Sequence, residues 1–155
     1  DGNKLTSKAI SDEATRTTQE IHDFIQGAID DKTLDVDGNG TVSALGDGLM
    51  VIRKLFGATF DNEKLTFKAI SDEATRTTQD IHDYIQFGID DKILDVDGDG
   101  SVTALGDGLM IIRKLFGTAF AGDKLTDKAI SPDATRTTDE IHEYIAAMSA
   151  VDSII

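Results

Sequence analysis

A chain of 155 residues in which 39% of the side chains are hydrophobic can bury a core, as one compact domain or as a short array of repeats, so a disordered chain is not expected. A formal net charge of −14 argues against nucleic acid and anionic membrane surfaces as partners, because the summed field repels both, and makes cations the natural ligands. There is no cysteine to staple the fold, and no stretch reaches the roughly 18 apolar residues of a membrane span, so membrane insertion is not expected.

The first residues carry neither an initiator Met nor a basic-then-apolar leader, so the chain reads as a mature fragment or an excised piece. Laying residues 4–63 over 64–123 gives the same text twice, with about three positions in four identical. Self-similarity of this kind marks units that stack on their neighbours, here expected at 1–63 and 64–123, with a partial third unit over 124–155.

Within the first unit the short apolar pattern from Leu5 to Ile10 predicts a helical turn, with Ser11–Arg16 (SDEATR) as its connection. Thr17-Thr18-Gln19-Glu20 reads as a capping box, because a Thr hydroxyl accepts from first-turn amides while Glu20 reaches back. A helix follows with Ile21, Phe24, Ile25, Ala28 and Ile29 at helical spacing, so one of its faces is buried.

Next comes an acidic loop, Asp35-Val36-Asp37-Gly38-Asn39-Gly40-Thr41-Val42-Ser43-Ala44-Leu45-Gly46-Asp47, repeated as Asp95 to Asp107. Oxygen-bearing side chains recur at every second position. Calcium takes six to eight oxygens at about 2.3–2.6 Å, so alternating carboxylates or amides on a tightly curved loop can close around it. The expected ligands are Asp35, Asp37, Asn39, Thr41 and Asp47 in one loop and Asp95, Asp97, Asp99, Ser101 and Asp107 in the other. Thr41 and Ser101 are expected to act through main-chain carbonyls, after the sharp turn that Gly40 and Gly100 allow, while Val42 and Val102 point to the core. Ser43 and Thr103 suit either a water-bridged contact or the cap of the next helix, with the cap slightly favoured.

A second helix is predicted from near Ala44, carrying Leu45, Leu49, Met50, Ile52, Leu55 and Phe56, and ending at Gly57, which suits the left-handed position past a helix. The third unit keeps the text ATRTTDEIHEYI and then diverges, so that Ile155 stands where a third loop would begin. It reads as an end cap and a native C-terminus, its helix covering the apolar face left open by the second unit. The fold class expected is all-α: helix, helix, calcium loop, helix, twice over, then a helical cap, with no sheet beyond a bridge between loops.

The loop resembles that of EF-hand proteins and, more closely, the calcium repeats of dockerins and dockerin-like segments of secreted bacterial proteins, over residues 35–56 and 95–116. In that family an acidic residue at loop position twelve closes the site. Here that position is Gly46 or Gly106, and the nearest acids are Asp47 and Asp107, so the loop is one residue longer and these two are expected to take over the closing role.

Other chemistries are less well supported. His22, His82 and His142 recur once per unit without companions at metal-ligand spacing and read as ordinary helix residues. Asp30-Asp31 with Asp35, or Asp23 with Glu20, read as solvated acidic faces, and no nucleophile motif is present, so no enzyme is expected. The function expected is a structural or adhesive repeat module, extracellular or at the cell surface, folded and rigidified by two Ca²⁺ ions. Its partners are calcium and neighbouring repeats or a protein. The alternatives are a dockerin-like adaptor for a cohesin-type partner and an intracellular calcium sensor. The adaptor is disfavoured because about forty residues separate the first exit helix from the second loop, against a compact dockerin.

Overall fold

The computed structural model describes residues 34–149. The turn expected at Leu5–Ile10, the capping box at Thr17, the helix after it and His22 lie outside the described residues. The described chain is all-α: α1 (Leu49–Leu55), α2 (Thr78–Asp90), α3 (Leu109–Leu115) and α4 (Thr138–Ser149), with short 3₁₀ turns and no strand or bridge among the described residues. None of these helices is long and apolar enough to cross a membrane.

Capping boxes start the two longer helices. Thr77 accepts from the Asp80 N–H while the Asp80 carboxylate accepts from the Thr77 N–H, and Thr137 and Glu140 do the same for α4. On α2 the buried face is Ile81, His82, Ile85 and Gly88, with Tyr84 and Ile89 partly buried beside it. Gly88 sits where Leu94 passes so closely that a β-carbon would stand 3.1 Å from the leucine Cγ.

The helices leaving the loops open with an extra residue in the turn. Ala44–Gly48 and Ala104–Gly108 form single π-helical turns, in which Gly48 N–H donates to Ser43 O and Gly108 N–H to Thr103 O, five residues back, both at 3.0 Å. Ser43 and Thr103 act as caps, each hydroxyl accepting from the N–H three residues on. The wider turn shifts the phase of the helical stripe. Met50 and Val51 become fully buried, whereas Leu45 is 64% exposed and Phe56 48%, so these two do not join the core as expected. Gly57 adopts φ +82° just past α1, the left-handed position expected of it.

The two exit helices pack on each other's opening turns, α1 against Ala104–Gly108 and α3 against Ala44–Gly48. They are in contact although about forty residues separate the first exit helix from the second loop. Helix α2 packs on α1 and α4 on α3. Arg53 fastens the turn after α1 by donating to the carbonyls of Leu65 and Phe67, as Arg113 does to those of Leu125 and Asp127. The core of Leu34, Val36, Met50, Leu65, Ile81, Val96, Met110, Leu125, Ile141 and Ile145 runs through the centre. The C-terminal helix also reaches the start of the first loop, where Leu34 N–H donates to Met148 O at 3.1 Å.

Candidate metal centre

Each acidic loop is curled by its own carboxylates. Asp35 accepts from the N–H groups of Asn39 (3.1 Å) and Gly40 (2.9 Å), Asp37 accepts from Asn39 (3.1 Å), and the Asn39 side chain accepts from Thr41 N–H (2.7 Å). Asp95, Asp97 and Asp99 make the same bonds to Asp99, Gly100 and Ser101. The curl needs φ values of +72° and +91° at Gly38 and Gly40, a region that suits glycine.

The buried Asp47 closes the first loop. One of its oxygens accepts from Val36 N–H (2.8 Å) and the other from Ser43 N–H (2.9 Å), and Asp107 binds Val96 and Thr103 in the same way. The π-helical turn is what brings it there: the extra residue in the loop is taken up by an extra residue in the first helical turn, so position thirteen faces inward.

Oxygens of Asp35, Asp37 and Asp47 lie within 4.8 Å of one another, as do those of Asp95, Asp97 and Asp99. Oxygens this close can reach one shared cation, so each group could hold a single metal ion. A carboxylate has about four acceptor sites, and the N–H bonds leave some of them for a metal. Thr41 and Ser101 lie exposed at the rim, and Val42 and Val102 pack against the core from partly buried positions.

The electrostatics of these loops are strained in the direction a cation relieves. Burial pushes the Asp47 carboxyl up to about 6; the N–H of Ser43 holds it back, the charges of Asp37 and Asp35 push it further, and the N–H of Val36 opposes them. Asp107 also rises to about 6, chiefly through burial, and Asp97 is raised by burial with Asp99 and Asp95 adding to the effect.

No protein-family model, curated protein or solved structure matches the chain. The candidate site therefore stands on its own geometry.

Sequence reasoning missed a second set of contacts. The segment Ser71–Arg76, which repeats the text of the connection at Ser11–Arg16, wraps the first loop from outside: Ser71 N–H donates to Asp37 Oδ2 (2.9 Å), Thr75 Oγ1 to Gly38 O (2.8 Å), and Arg76 Nη1 to the carbonyls of Asp35 (2.7 Å) and Val36 (3.2 Å). The Asp37 carbonyl accepts from the backbone N–H groups of Thr75 and Arg76. Ser131, Thr135 and Arg136 do the same at the second loop. One signal was present in the text: glycine at loop position four, where a β-carbon on Gly38 or Gly98 would collide with the Thr75 or Thr135 hydroxyl.

Two of the histidines lie among the described residues. His82 bridges Lys54 Nζ (3.3 Å) and the Asn62 carbonyl (3.1 Å), and His142 bridges Lys114 and Gly122.

Proposed function

We propose that this chain is a calcium-binding structural or adhesive module of an extracellular bacterial protein, built from tandem units of about sixty residues and closed by a C-terminal helical cap. The observation that carries the reading is the convergence of Asp35, Asp37 and Asp47 oxygens to within 4.8 Å.

Asp35, Asp37, Asn39, Thr41 and Asp47 would hold one Ca²⁺ ion, and Asp95, Asp97, Asp99, Ser101 and Asp107 the other. A bound divalent ion supplies positive charge among carboxylates that burial and mutual repulsion leave poorly solvated. Asp47 and Asp107 tie the start of each loop to the helix leaving it, so filling the loop firms the helix packing behind it. At calcium a thousandfold above the dissociation constant, linkage adds about 4 kcal/mol per site. Millimolar calcium outside cells keeps even weak sites filled. No catalytic role forms part of this reading.

Calorimetric titration of metal-free chain with calcium, with circular dichroism and melting before and after, tests it. Two sites and a higher melting temperature are expected, and the double variant Asp35→Ala, Asp95→Ala loses both. An absence of calcium uptake by the unaltered chain defeats the proposal.

A second reading, a dockerin-like adaptor for a cohesin-type partner, gains from the pairing of the two exit helices, because the forty intervening residues do not keep them apart. Leu45 and Leu105, each 64% exposed, would then be contact residues. Calcium-dependent binding of a cohesin-type domain, lost in Leu45→Asp with Leu105→Asp, favours that reading; a rise in melting temperature with no such binding favours the structural module.

A further inference from the structure

We infer that each calcium loop is completed from outside, by an arginine and a threonine about forty residues downstream: Arg76 and Thr75 act as positioning residues for the loop 35–47, and Arg136 and Thr135 for 95–107. This rests on the calcium reading above and deepens it. The carbonyls of the first four loop residues, Asp35, Val36, Asp37 and Gly38, are all held by Thr75 and Arg76, and the Asp37 carboxylate is held by Ser71 N–H. The holding element is itself anchored. The Arg76 guanidinium lies 4.0 Å over the Tyr84 ring, on the helix that begins right after the clamp, and Arg136 lies 4.0 Å over Tyr144. The backbone that aims Asp35 and Asp37 is therefore fixed by a neighbouring helix rather than by the loop alone. It also gives the loop-less third segment a task at the second metal site, through Ser131, Thr135 and Arg136.

Charge and position predict opposite outcomes. A guanidinium beside a cation site repels the ion, so removing a residue that acted only as a charge would tighten binding. Removing a residue that orients ligand-bearing backbone weakens it.

The test is a calcium titration of the full chain followed by nuclear magnetic resonance, with the amides of Gly40 and Gly100 reporting the two sites separately. Arg76→Ala is expected to weaken the first site about tenfold, the loss of a charged donor, and to leave the second unchanged; Arg136→Ala does the reverse. Arg76→Lys recovers part of the loss. In metal-free protein, Arg76→Ala speeds hydrogen exchange at the amides of Asn39, Gly40 and Thr41 but not at those of Asp99, Gly100 and Ser101. Should Arg76→Ala fail to fold, Thr75→Val, which removes only the hydroxyl donated to Gly38, gives a smaller weakening confined to the first site. Unchanged or tighter binding at the first site, or equal weakening of both, overturns the inference while leaving the calcium reading intact. An unaltered chain that takes up no calcium overturns both.

Discussion

Gly48 is pressed against Ile112: a β-carbon built on the glycine would stand 3.2 Å from the isoleucine Cγ1, and on the other side of the same contact Gly108 meets Ile52 at 3.1 Å. Each exit helix thus seats an isoleucine in the glycine notch of the other. The contact works only without side-chain bulk, which explains a glycine just before an otherwise apolar helix. Gly48→Val is expected to destabilise by about 1–3 kcal/mol, through overpacking at both helices. Gly57→Ala, where no atom lies within reach but φ is +82°, is expected to lose only about 1 kcal/mol from backbone strain. Thermal melts of the two variants check the order.

Acid is expected to stabilise the metal-free chain. Asp47 and Asp107 have folded-state pKa values raised to about 6, so the stability they contribute is full below the ordinary carboxylate range and is lost as pH rises through about 6. The capping carboxylates Asp80 and Glu140 are held low by their N-cap hydrogen bonds, and theirs is lost only as pH falls below that range. The metal-free melting temperature should therefore rise between about pH 7.5 and about pH 5. On the proposed calcium reading, affinity for the ion should fall over the same window, because protons and the metal would compete for the same oxygens. A metal-free melting temperature that drops on acidification across this window contradicts the assignment.

His82 is expected to be locked in one tautomer. The Asn62 carbonyl can only accept, so Nε2 carries the proton and Nδ1 accepts from the Lys54 ammonium. Long-range proton–nitrogen correlation spectra should show the Nε2–H form for both His82 and His142. The change His82→Ala should destabilise by about 1–3 kcal/mol through the lost contacts, with calcium stoichiometry unchanged.

The cap of α4 offers a simpler check. Thr137→Ala removes the hydroxyl that accepts from Glu140 N–H and should lower stability by about 1 kcal/mol. Because α4 covers α3 and supplies Met148 to Leu34, the loss should appear in the global melt rather than as local fraying.

What could be read from the text was what depends on near neighbours in the chain. The capping text that recurs at Thr77 and Thr137, the left-handed Gly57, the alternation of loop oxygens and the single acid at the end of each loop, Asp47 or Asp107, are all local patterns, and helical periodicity sufficed for the all-α class of the described residues. What could not be read depends on phase and on distant partners. Leu45 and Phe56 fit a regular helical stripe, but the π-helical turn adds one residue, leaving them exposed and burying Val51. The hold of Ser71–Arg76 on residues 35–38 is set by tertiary placement, and polar residues in a connection carry no mark of what they will bind. Only the glycines at positions 38 and 98 hinted that something approaches the loop there.

The bond between Leu34 and Met148 means that the polypeptide enters and leaves the described body at one spot. Residues 34 and 148 thus stand close together, and the described body between them spans little distance from one to the other. Tension applied at those two points would load the Leu34–Met148 bond directly.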